Sequence, residues 1–281
     1  MLALALAFAA TLSWGVSDFL GGLMARRMAV LVVLAVSQSA GLVVIAVAVG
    51  LVAEPAPDAE FVPYAALAGL AGVCGLVAFY RALAVGKMTV VAPISSMAVL
   101  VPVVVGIATG DRPSALQAVG AVLGLVGIVL ASRESADEAQ EDRRVATGVG
   151  LALMSGLGFG LFFVAMDVAA DSDPLWASFV NRGTSLSLLL LALLVFRPGF
   201  NGLTAPRVPV LMGIGALEMG ANVAFAYAAT EGLLSLTSIV ASLYPVVVVV
   251  LAWILLHERL ERSQKAGVAA AFAGVALIAG G

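Results

Sequence analysis

Glu218 is the residue with the most chemistry to offer. It lies within an apolar stretch, and Gly215, Glu218, Asn222 and Phe225 recur at i, i+3, i+7 and i+10, the spacing of one helical face. That face presents an acid, an amide and an aromatic ring to one interior. The carboxylate has three uses there: contact with a substrate ammonium, carriage of a coupling proton, or service as a buried acid, protonated or paired, that holds helices together. Thr11, Trp14, Asp18 and Gly21 form a second stripe. Trp14 offers a ring on which a substrate or its cation can stack. Asp18 is a candidate gate or orientation anchor, with Arg26, Arg27 and Arg81 as possible partners. Arg81 is also placed to snorkel to the interface. Arg182, beside Asn181, could bind a substrate carboxylate, or form a structural pair with Asp167 or Glu218. The candidates for substrate binding are thus Trp14, Tyr80, Ser96, Phe159, Phe162, Glu218, Asn222, Phe225 and Ser242. Those for coupling or gating are Asp18, Arg182 and Glu218.

These residues must be positioned by membrane spans. The chain has 281 residues, 62% hydrophobic and 11% charged, with mean hydropathy +1.13. No soluble domain hides that much apolar surface. Ten apolar stretches are long enough for ~30 Å of hydrocarbon: roughly 2–22, 29–52, 61–85, 88–109, 113–132, 146–170, 174–197, 206–230, 233–255 and 260–280. We number them spans 1 to 10. A charge at mid-bilayer costs roughly 3 kcal/mol on insertion scales, so Asp18, Arg182 and Glu218 are expected to face a cavity or a partner. Spans 4 and 9 carry Pro93, Ser95, Ser96 and Pro102, and Ser235, Thr237, Ser238, Ser242, Tyr244 and Pro245. Proline frees helix carbonyls that nearby hydroxyls can satisfy. Gly120, Gly124 and Gly127, with Gly267, Ala271 and Gly274, form small-residue faces for close packing within the chain or across a homodimer.

The chain also repeats. Ala78, Phe79, Ala82 and Gly86 fall on Ala224, Phe225, Ala228 and Gly232 at an offset of 146; Gln117, Gly120 and Gly127 fall on Gln264, Gly267 and Gly274 at 147. The expected halves are 1–132 and 146–281, joined by a hydrophilic linker at 133–145. Arginine and lysine collect in the odd-numbered loops and Glu54, Asp58, Glu60, Asp171 and Asp173 in the even ones. The positive-inside rule then places the odd loops and the linker in the cytoplasm and both termini outside. Five spans per repeat is an odd number, so the second half is expected to be inverted. The first span has no basic n-region, which argues against a cleaved signal peptide. The lone Cys74 allows no internal disulfide.

Trp14-Gly15 and Phe159-Gly160 resemble a family signature. So do Tyr80 to Arg112 and Tyr227 to Glu258, each a short turn, a small-residue span with proline, Gly-Asp or His-Glu, and a Gly-rich last span. In order, spacing and duplication the whole chain resembles the EamA-type, ten-helix branch of the drug/metabolite transporter superfamily. The resemblance implies an all-α inner-membrane carrier of bacterial type, often an exporter of amino acids, metabolites or drugs, with its cavity among spans 1, 3, 4, 6, 8 and 9. The first half departs from the pattern at Val99, where the second has Pro245; its own proline comes later, at Pro102.

Other classes fit less well. There is no His-Glu-x-x-His, no Gly-x-Gly-Asp pair, no metal-ligand set and no ATP-binding motif; the single histidine, His257, falls at a loop. No enzyme activity, cofactor or nucleic-acid partner is expected. The expected partners are the lipid bilayer, a small-molecule substrate and protons, with a gradient as driving force and a monomer or homodimer as the working unit. A channel or an uncoupled uniporter is the alternative. A channel would need a continuous polar lining, whereas the polar residues here cluster on spans 1, 7 and 8.

Overall fold

The computed structural model describes residues 1–52, 55–85, 95, 97–131, 142–256 and 262–280. Ser96, Pro93, the Gly86-Lys87 turn, His257 and most of the 133–145 linker lie outside the described residues. The described residues form eleven α-helices and no strand: α1 Leu2–Ala25, α2 Val30–Val52, α3 Val62–Val85, α4 Leu100–Thr109, α5 Ala115–Ala131, α6 Asp142–Ala170, α7 Pro174–Phe196, α8 Val208–Glu231, α9 Leu234–Ala241, α10 Tyr244–Leu256 and α11 Arg262–Gly280. Helices are what such a sequence must form, since backbone polar groups in hydrocarbon have to be satisfied within the segment. Among the described residues seven segments are long and apolar enough to cross a membrane: Leu2–Ala25, Val30–Val52, Ala59–Ala82, Gly150–Ala170, Pro174–Phe196, Ala205–Glu231 and Leu234–Leu255. This is a multi-pass membrane protein. The described residues of expected spans 4, 5 and 10 form the apolar helices α4, α5 and α11.

Local chemistry sets the helix ends. Asp173 caps α7, accepting the backbone N–H groups of Leu175 and Trp176 at 2.8 Å, with Pro174 at the first position, where no donor is needed. Ser114 and Gln117 exchange side-chain and backbone hydrogen bonds before α5, a capping box.

Span 9 is broken between α9 and α10. Pro245 has no N–H for the carbonyl of Ala241, and Ser242 and Leu243 form a tight turn. At the break the carbonyl of Val240 accepts from Thr11 Oγ1 at 2.6 Å. A hydroxyl of α1 thus ties that helix to the break, beside the Leu243 N–H that the same carbonyl accepts at 3.2 Å. In span 4 the described part is a 3-10 turn at Met97–Val99 leading into α4, with Pro102 inside its first turn.

Glycines let the helices approach at matching places. A side chain at Gly15 would run into Val247 and the carbonyl of Tyr244; one at Gly160 would run into Val101 and the carbonyl of Ala98. The partners stand 146 residues apart (98 and 244, 101 and 247). Gly69 lies against the carbonyl of Asn181 and Gly215 against that of Ser37. On α5 and α11, a Cβ at Gly120 would sit 2.7 Å from the carbonyl of Gly274, and Gly127 abuts Ala271. The small-residue faces of α5 and α11 are therefore used against each other within the chain.

Two large cores flank the polar residues. One lies under the ends bearing the acidic loops: Phe61 just before α3 and Ala65 within it, Phe163 and Met166 of α6, Ala177 of α7, Phe225 of α8. The other lies under the Arg26-Arg27 end: Met28, Leu31 and Leu34, Phe79 and Tyr80, Leu211 and Ile214. The polar residues meet between them.

Candidate central cavity

The α8 stripe fits its neighbours residue by residue. Gly215 brings α8 onto the backbone of α2 at Ser37. One turn on, Glu218 accepts from Gln38 Nε2 with both carboxylate oxygens, at 2.8 and 3.0 Å. Arg182 Nη1 of α7 stands 3.4 Å from Glu218 Oε1, and its Nε points at the sulfur of Met219 at 3.3 Å. The guanidinium is 1% exposed and lies over Gly41, where a Cβ would come within 3.2 Å of its Cζ. Of the two acids weighed for Arg182, Glu218 is the one it pairs with. Asn222 then accepts from Trp14 Nε1 at 3.0 Å, which fixes the indole of α1 against α8.

The α1 stripe is as specific. Thr11 holds the break in span 9 and Trp14 holds Asn222. The Tyr80 hydroxyl of α3 approaches Asp18 Oδ1 at 3.5 Å, a long contact. The hydroxyl occupies the space that a side chain at Gly21 would fill. None of the arginines weighed for Asp18 pairs with it among the described residues.

Between these stripes is a cavity of about 60 Å³, room for a few waters. Of the residues named from the sequence, Trp14, Asp18, Phe159, Phe162, Arg182, Glu218 and Asn222 line it. Tyr80, Phe225 and Ser242 stand one layer back: Tyr80 is buried against Asp18, Phe225 behind Trp14 and Phe163, and Ser242 at the helix break. Gln38, Gly72, Val73, Leu76, Phe163, Asn181, Ser185 and Tyr244 also line the cavity. Spans 2 and 7 therefore join those expected from the family resemblance. The reason is steric, since Gly41, Gly69 and Gly215 let α2 and α7 come close enough to insert Gln38 and Arg182. The signal for Gln38 in the sequence is its place as a polar, neutral residue at roughly the repeat position of Arg182.

The aromatic wall is a packed set. Trp14 meets Phe162 and Phe163 edge-on at 6.2 and 5.9 Å between ring centroids, and Phe163 meets Phe225 at 4.7 Å, within the range of favourable ring pairs. Several polar atoms beside the cavity are buried without a protein partner: Arg182 Nη2, Asn181 Nδ2, Gln38 Oε1 and Tyr244 Oη. Buried donors and acceptors are normally satisfied, so this wall holds hydrogen-bonding capacity for water or a solute. Among the described residues no group of three or more His, Cys, Asp or Glu could hold a metal.

A solved structure described as "Crystal structure of protein" superimposes on 98% of this chain and 95% of its own, with a TM-score of 0.76 at 19% identity. It shares the fold. No curated relative matches. The EamA-like transporter family matches twice in tandem, over residues 1–133 and 146–280. A bundle of apolar helices closing on a central polar and aromatic cavity, matched to one family over nearly its full length, makes this chain a member of the EamA-like transporter family.

Proposed function

We propose that the protein is a ten-span carrier that moves a small organic solute through the central cavity by alternating access. Its repeats are 1–132 and 146–281, the second inverted, with a cytoplasmic linker at 133–145. The observation that carries this reading is the cavity itself: aromatic rings, an ion pair and unpartnered polar atoms enclosed among apolar helices, as solute sites are in transporters built from repeats. The matched contacts of Gly15 and Gly160 support the repeat.

Rings and amides suit solutes with an apolar body and polar groups, such as amino acids, aromatic metabolites or drugs, and the direction we assign is export from a bacterial cytoplasm across the inner membrane, both termini outside. The break before Pro245 and the first turn of α4 at Pro102 are the bending points in this reading. On the acidic-loop end, Asp111 Oδ2 accepts from Ser235 N at 2.8 Å and Gly106 lets α4 and α9 close over it, a closed gate in this reading.

The test is counterflow in proteoliposomes with labelled amino acids, aromatic amines, nucleosides and sugars. Saturable uptake driven by the same unlabelled solute inside supports a carrier and names its class. Non-saturable ion flux would replace the carrier with a channel.

A further inference from the structure

Two carboxylates face the cavity, and one guanidinium answers them. Glu218 is the answered one. Both of its oxygens accept from Gln38, and Arg182 stands beside it. Among the described residues Asp18 has only the Tyr80 hydroxyl, at 3.5 Å. The titratable groups around it are Tyr80 from α3, Tyr244 from α10 and Glu218 from α8. Arg182 of α7 is engaged with Glu218. All three near neighbours are acids or phenols, and among the described residues no cation lies within ion-pair distance of Asp18. Asp18 nonetheless stays partly accessible through the cavity, with Trp14 one turn away on the same helix. With both acids ionised the cavity carries one uncompensated negative charge, an arrangement a low-dielectric interior disfavours strongly.

We propose that Asp18 is where the cavity takes up one positive charge, supplied by a proton or by the ammonium group of an organic solute, while Glu218 is a fixed, internally neutralised part of the wall. This rests on reading the cavity as the transport site. A proton and an ammonium would then compete for one carboxylate, with the Trp14 ring beside the ammonium. The proton leaves Asp18 as the ammonium arrives, so the charge in the cavity is conserved through the exchange.

The test is infrared difference spectroscopy of the purified full-length protein across a pH titration. The expected result is a protonated-carboxyl band that bleaches as pH rises, shifts on carbon-13 aspartate labelling, is lost in Asp18→Asn and in Asp18→Ser, and survives in Glu218→Gln. Each variant is first shown monodisperse by gel filtration. The isotope shift needs no variant. A band that persists in both Asp18 variants, or that vanishes in Glu218→Gln, or no titrating aspartate band, overturns the proposal. Phenethylammonium at fixed pH separates the two sources: bleaching of the Asp18 band supports competition at one site, and an unchanged band with titration intact supports the proton alone. The readout involves no transport, so non-saturable ion flux with this band present would sink the carrier reading and leave Asp18 as a proton site.

Discussion

The α8 wall and the α1 wall of the cavity each carry an acid, and they treat it in opposite ways. On α8, Glu218 is enclosed by an amide and a guanidinium drawn in by glycine contacts from α2 and α7. On α1, Asp18 meets a single phenol at long range. The difference shows that charge inside a membrane protein plays two parts. A compensated charge is tolerated once paired, and removing its partner costs much. An uncompensated one is tolerable only if something that comes and goes completes it.

The largest way to break this comparison is Arg182→Met. It keeps the side chain's length and leaves Glu218 without its cation. We expect a loss of about 3–5 kcal/mol, the usual cost of removing one partner of a buried pair, read as a large drop in thermal unfolding temperature in detergent. Adding Glu218→Gln to the same chain should recover most of it, and no recovery would mean that the pair is not the source of the loss. Gly215→Ala comes next. Its methyl group would meet the Ser37 carbonyl and force α2 from α8, at about 1–3 kcal/mol, as overpacking typically does; Gly220→Ala, with open space around it, is the control and should unfold like the parent. Trp14→Phe removes the donor to Asn222 and should cost about 1 kcal/mol in unfolding, within the range of hydrogen bonds between membrane helices, while weakening retention of an aromatic solute in equilibrium binding. Asp18→Asn is the smallest. With no cation to lose, it should change unfolding by no more than about 0.5 kcal/mol, as substitutions away from paired or packed features do. A loss as large as that of Arg182→Met would mean that Asp18 is paired after all.

Much of this arrangement was legible in the sequence. The stripes Thr11–Trp14–Asp18–Gly21 and Gly215–Glu218–Asn222–Phe225 each face inward as helical spacing requires, and Pro245 marks a real break. Pairing was not legible. Arg182 had two acids within plausible reach, and only the packing of α7 against α2 and α8 selects Glu218. Gln38 was visible only as the neutral counterpart of Arg182 in the repeat. Its grip on Glu218 depends on Gly215 letting two backbones touch, a contact across 180 residues. Tyr80 fell in a repeat motif, but its approach to Asp18 depends on the space left by Gly21. Sequence spacing reports which face of a helix a residue occupies, and it is silent about what stands opposite.

The central claim is that this cavity is reached alternately from the two sides of the membrane. The direct test is a cysteine at Ser185, which lines the cavity, in a chain carrying Cys74→Ala, labelled by a membrane-impermeant thiol reagent from each side of oriented proteoliposomes. Alternating access gives labelling from both sides, with a transported solute shifting the balance between them. Labelling from neither side, or from both at rates that no solute in the panel alters, would contradict it.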